Sequence, residues 1–148
     1  MPVSRTDVLW AIDALFGVEG VEMDPRKAVD DIMGLAKAYS DQDDFVSAVS
    51  STVRMLGRLK DGTVDTSSLA DDYEGWRCCH FQHKTGQGVK ARMRIMYAEA
   101  DGTIRVRGFG ERGVPADFYR RMAEIDRLNL PEEGQGTTFP SDSDQADR

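Results

Sequence analysis

The chain has 148 residues, enough for one domain with an apolar core of its own and no metal or disulfide staples. Its two cysteines are adjacent, no apolar run approaches the roughly 18 residues of a membrane span, and no basic N-terminal region precedes an apolar stretch; the expectation is a soluble, cytoplasmic protein with no membrane association. Net charge is −7, from 19 basic and 26 acidic residues, which as an average disfavours a polyanion binder.

The average hides a reversal, because residues 77–112 hold eight Lys/Arg against three Asp/Glu while every other part of the chain is net acidic. Three helical patterns precede that block. Ser4 can cap a helix with the stripe Val8, Leu9, Ile12, Leu15 and Phe16, stopped at Gly17 and Gly20. Asp24-Pro25 is a start signal for a second, which presents Val29, Ile32, Met33, Ala36 and Tyr39. Asp41 can cap a third, with the stripe Phe45, Val49, Val53, Leu56 and Leu59 and an end at Asp61-Gly62. The short link at Ser40 to Gln42 makes the last two an antiparallel hairpin. Residues 63–75 are polar and turn-rich, anchored by Leu69 and Tyr73.

The period then changes to two. Trp76 to Lys84, Lys90 to Glu99 and Thr103 to Phe109 read as strands, the last two joined at Asp101-Gly102. A two-residue turn there pairs Ala98 with Arg105, Met96 with Arg107 and Arg94 with Phe109, and puts Met93, Ile95, Tyr97, Ile104 and Val106 on one face. If Gln82 faces Arg92 and His80 faces Arg94, then Cys79 and Phe81 join that apolar face. The opposite face displays His80, Gln82, Lys84, Lys90, Arg92, Arg94, Arg105 and Arg107, followed by Arg112. Cations crowded on one face suit a phosphate chain, although a solvated face neutralised by acidic neighbours has the same composition. Cys78, Cys79, His80 and His83 alternate between faces and have no downstream ligand pair, so they read as packing, not as a metal site. A final helix from Pro115 would turn Phe118, Met122, Ile125 and Leu128 inward, and the polar residues beyond Pro131 predict a disordered acidic tail.

At Met93-Arg94-Ile95-Met96-Tyr97, followed by the Asp-Gly turn, a strand, Gly110-Glu111-Arg112 and Tyr119, the chain resembles the RelE/ParE toxin superfamily. The resemblance implies an α+β fold, with an N-terminal helix hairpin packed on a three- to four-stranded antiparallel sheet and a C-terminal helix. It divides the chain into a helical extension at 1–24, a toxin domain at 25–130 and the tail at 131–148. It implies a metal-free, cofactor-free endoribonuclease that cleaves messenger RNA on the ribosome and is held by a cognate antitoxin protein. By position Arg94 and Arg112 are the family's active-site arginines, with Lys84, Lys90, Arg92 and Tyr119 as looser matches and Arg105 and Arg107 as further RNA contacts on the same face. The base for the 2′-OH is His80, which faces Arg94 and has a suitable intrinsic pKa, or a lysine such as Lys84 or Lys90. The chain departs from the family's pattern at Glu111, where a histidine is common, and in the extra residues from Val114 to Phe118. The first strand is supplied only if Val18 to Met23 forms it. The other class left open is a non-catalytic relative, a gyrase inhibitor or repurposed module that binds a protein through the same sheet.

Overall fold

Local capping sets the three N-terminal helices. In α1, Arg5–Phe16, the Ser4 hydroxyl accepts from the Asp7 N–H while the Asp7 carboxylate accepts from the Ser4 N–H, a reciprocal capping box. Asp24 caps α2, Pro25–Ala38, through the Lys27 N–H at 3.0 Å, with Pro25 in the first turn where its missing N–H costs nothing. Asp41 caps α3, Gln42–Asp61, which ends on Gly62 at φ 75°, a left-handed conformation that glycine adopts without a Cβ clash. The computed structural model describes residues 1–64, 67–68, 75–83 and 91–130. Lys84 and Lys90, the anchors Leu69 and Tyr73 and the tail at 131–148 lie outside the described residues.

The protein is α+β, with helices on one face of a sheet and a short helix near the C-terminus. The sheet has five strands, β1 Val21–Met23, β2 Ser67–Ser68, β3 Arg77–Phe81, β4 Met93–Ala100 and β5 Thr103–Glu111, in the order β1-β5-β4-β3-β2. It is mixed, not purely antiparallel, because β1 runs parallel to β5 while the other pairs are antiparallel. Val18 to Met23 therefore does supply a first strand, and the α2–α3 hairpin is the connection that separates it from the rest of the sheet.

Register follows the Asp101-Gly102 turn, whose residues both take positive φ (53° and 79°), and Ala100 pairs with Thr103 and Ala98 with Arg105. His80 faces Arg94 and Cys79 faces Ile95, as the apolar-face rule requires. Beyond Tyr97 and Val106 the expected pairing fails. Arg107 is an extra residue at a β-bulge, so Met96 faces Gly108, Ile95 faces Phe109 and Arg94 faces Gly110. The bulge turns Phe109 into the core, where an unbroken ladder would have left it opposite Arg94 on the outer face.

The main core lies between the helices and one sheet face, where Ala11, Leu15, Ile32, Leu35, Phe45 and Leu56 meet Cys79, Phe81, Met93, Ile95, Tyr97, Ile104, Val106 and Phe109. α1 belongs to that core, but it and α2 are rotated from the expected stripes: Leu9, Phe16 and Met33 point to solvent, while Ala11 and Ala28 face inward. A second core covers the opposite sheet face, where Trp76, Cys78, Met96 and Ala98 pack on Phe118 and Met122. The final helix is shorter than its pattern suggested. α4 spans Phe118–Met122 under an Asp117 cap, and Ile125 is exposed. No helix among the described residues is long and apolar enough to cross a membrane.

Candidate functional site

The charged face that follows from strand alternation is covered at two of its arginines, Arg94 and Arg107. Arg107 is 2% exposed, and its guanidinium donates to the carbonyls of Met122 (2.7 Å), Glu124 (2.8 Å), Arg127 (3.2 Å) and Leu128 (2.8 Å). Met122 closes α4 and the other three carbonyls follow it, so one arginine ties the helix end and the chain beyond it to the sheet. Arg127 then reaches back. It forms a bidentate pair with Asp31 of α2 at 2.8 and 2.9 Å and donates to the carbonyls of Arg107 and Arg121. Burial pushes the Asp31 carboxyl up, and the Arg127 fork opposes it. Arg121 donates to the Glu111 and Ala116 carbonyls and lies 5.5 Å from the Phe118 ring. Arg107 is thus corrected from an exposed nucleic-acid contact to a buried clamp.

Other members of the expected set converge at one end of the sheet. His80, Arg94 and Gly110 form one row across β3, β4 and β5, and Phe81, Met93 and Glu111 form the next. Arg94 is also buried, at 7% exposure, under Tyr119 of α4. Its Nη1 donates to the Ala91 and Met93 carbonyls at 2.9 and 3.1 Å, while its buried Nε has no hydrogen-bond partner among the described residues. A buried guanidinium N–H left unpaired costs about 1–3 kcal/mol. Past the last row, the Arg112 N–H donates to the Arg92 carbonyl at 2.8 Å and its side chain is exposed.

Glu111 sets the shape of that end. It is buried, takes the Arg92 Nε through one carboxylate oxygen and accepts the N–H groups of Gly113 and Val114 through the other. A histidine there could not make all three bonds, because the neutral ring has one acceptor. The residue that departs from the family's pattern is therefore the one that builds the loop carrying Arg112.

His80 is the exposed titratable group among these residues. Burial, and then the fields of Arg94 and Arg112, hold its imidazolium below the usual histidine range. The Tyr119 hydroxyl donates to Cys78 Sγ at 3.4 Å and lies 3.4 Å from His80 Nε2. The second contact takes either direction, because the nitrogen of a neutral imidazole can donate or accept according to its tautomer. Burial and the bond to Cys78 raise the Tyr119 hydroxyl to about 12, so it stays protonated. Cys78 and Cys79 lie on opposite faces and are both buried; Cys79 is pushed up to about 11 by burial and by Cys78, which keeps it an unreactive thiol.

His80, Arg94, Arg112 and Tyr119 are thus brought together, with Arg92 beside Arg112. Arg105 is not. It sits four residues along β4 from the Arg94 row, about 13 Å away at strand spacing, and pairs with Glu22 at 3.4 Å on the β1 side. No group of side chains suited to hold a metal ion occurs among the described residues. Sequence reasoning missed Glu111, Arg121, Arg127 and Asp31 as the frame of the site; the one available signal was a run of arginines in a segment whose apolar period is weak. Among known proteins, no family model, curated protein or solved structure matches the chain.

Proposed function

We propose that the protein is a metal-free endoribonuclease acting on messenger RNA, of the RelE-like kind, working at the β3–β4–β5 end of the sheet and held in check by a partner protein. The observation that carries the reading is the convergence of a depressed, exposed histidine with two arginines, one of them buried with an unpaired N–H. Cleavage requires a base for the 2′-OH and cations for the charge that develops on the phosphorane. His80 Nδ1 takes the 2′-OH proton, Arg112 stabilises the equatorial oxygens, and Arg94 adds its charge from beneath Tyr119. Tyr119 fixes the imidazole through Nε2, and the leaving 5′ oxygen takes its proton from solvent.

Expression of the wild type beside His80→Ala and Arg112→Ala, with sequencing of RNA 5′ ends, tests this. New ends within translated codons that vanish in both variants support it. Both positions are exposed, so neither substitution disturbs the core. A second reading is a non-catalytic protein-binding module, favoured by the burial of Arg94 and Arg107, which leaves a smaller cationic surface than a nuclease face needs. Growth arrest with intact RNA would select it.

A further inference from the structure

Beyond the last row of the sheet, the chain leaves β3 through Gln82 and His83, and β4 is entered from Ala91 and Arg92. His83 therefore leaves the sheet at the same end as Arg92 and Arg112, but turned toward the helices. There its ring meets Tyr39, the residue that ends α2, with centroids 4.5 Å apart and planes at 68°. Ser47 of α3 donates its hydroxyl to the His83 carbonyl at 3.1 Å, so its 3.1 Å contact with Nδ1 must be a bond from the ring N–H. Two helices thus fix a half-buried aromatic–imidazole pair that needs no ladder and lies at the edge of the proposed phosphate site. Arg92, at the same end of the sheet, is about half exposed and oriented by the bond from its Nε to Glu111.

We infer that Tyr39 and His83 form a nucleobase subsite that receives an unpaired base adjoining the phosphate held at Arg112. The inference rests on the reading of the ligand as RNA. Single-stranded RNA is bound by stacking its splayed bases on aromatic, imidazole and guanidinium planes, and the first two are in contact here, edge to face. Burial first, and then the Glu111 charge, raise the Tyr39 hydroxyl, so it stays protonated and offers a neutral ring beside the cations. The cationic half of the site lies at Arg112, Arg94 and His80, and the near-neutral half at Tyr39 and His83.

The test is anisotropy titration of a ten-nucleotide single-stranded RNA bearing 2′-O-methyl groups, which cannot be cut by 2′-OH attack. Tyr39→Leu and His83→Ala should each weaken binding about tenfold with the salt dependence unchanged, since a stack and not a phosphate contact is lost. Tyr39→Phe should bind within about twofold of wild type, and Arg112→Ala should weaken binding while lowering the salt slope by about one. If Tyr39→Leu fails to fold, His83→Ala, at the sheet end outside the ladder, carries the comparison. Wild-type affinity in both Tyr39→Leu and His83→Ala, or a loss accompanied by a reduced salt slope, overturns the subsite. Absence of RNA binding by the wild type overturns the subsite together with the RNA reading. Binding that depends on Tyr39, with no new RNA 5′ ends within translated codons on expression, upholds the subsite and rejects the nuclease alone.

Discussion

On its helix side the sheet is buried by hydrocarbon, and on its other side by arginine. The helix side contributes Ile95, Tyr97, Val106 and Phe109 to a continuous apolar core with α1, α2 and α3. The other side has a smaller apolar patch at Trp76, Met96 and Met122, and is closed by the bonds of Arg107, Arg121 and Arg127 to eight backbone carbonyls and two carboxylates. Hydrophobic burial is non-directional and tolerates repacking, whereas a guanidinium fork requires each acceptor in place. The chain beyond α4 is thus held by directed bonds that remove charge from the surface. Among the described residues of the expected cationic face, Arg92 and Arg112 at the sheet end keep exposed side chains.

The largest effect should come from removing one member of the buried pair that joins the cover to α2. Asp31→Ala leaves the Arg127 charge buried and uncompensated, and should cost about 3–5 kcal/mol in urea unfolding. That equals the loss expected on the helix side for Phe45→Ala, a cavity effect. A cost for Asp31→Ala under 1 kcal/mol would show that the C-terminal segment is not integral to the fold, and would break the comparison. Arg107→Ala comes next at about 2–3 kcal/mol, because four carbonyls lose their donor but several gain access to water. Near-UV circular dichroism should report its effect around Trp76, which lies 5.8 Å from the Arg107 guanidinium. Arg112→Ala, at the exposed end, should change stability by no more than about 0.5 kcal/mol while abolishing RNA cleavage. An equal loss of stability there would place Arg112 in the frame and not in the site.

This division also explains what could be read from the sequence. The helix hairpin, the Asp101-Gly102 turn and the pairing of His80 with Arg94 follow from caps, turn chemistry and apolar alternation, which are local rules. The register beyond Met96 does not follow. Placing Phe109 in the core needs an inserted residue at Arg107, and that insertion is favoured by carbonyls fifteen to twenty-one residues away. Hydropathy counts an arginine as solvent-facing, so no period analysis assigns Arg107 or Arg127 to the interior. Of the site, His80, Arg94, Arg112 and Tyr119 were legible because each sits at a register or motif position. Glu111 was seen only as a departure, and its three hydrogen bonds have no sequence signature.

The smallest expected effect is a displacement in pH, and it bears on how the two arginines act on His80. Burial and two cations favour the neutral ring, so the histidine should titrate below its ordinary value of about 6.5. A base must be neutral to work, so the acid limb of cleavage should also lie below that value, with the rate falling as pH drops through the folded-state pKa. The same shift lowers stability in acid. The unfolded chain takes up the proton first as pH falls below 6.5, so stability declines between the unfolded and folded values and holds above them. Arg112 is exposed and screened by salt, while Arg94 is covered by Tyr119. Raising ionic strength should therefore move the His80 titration upward only in part, and Arg112→Ala should move it by a similar step. The chain has two histidines, so an NMR titration of the ring protons resolves His80 once His83→Ala assigns the other. A His80 titration at or above the ordinary value would mean that the cations face away from the ring, and the assignment of Nδ1 as the base would fall with it.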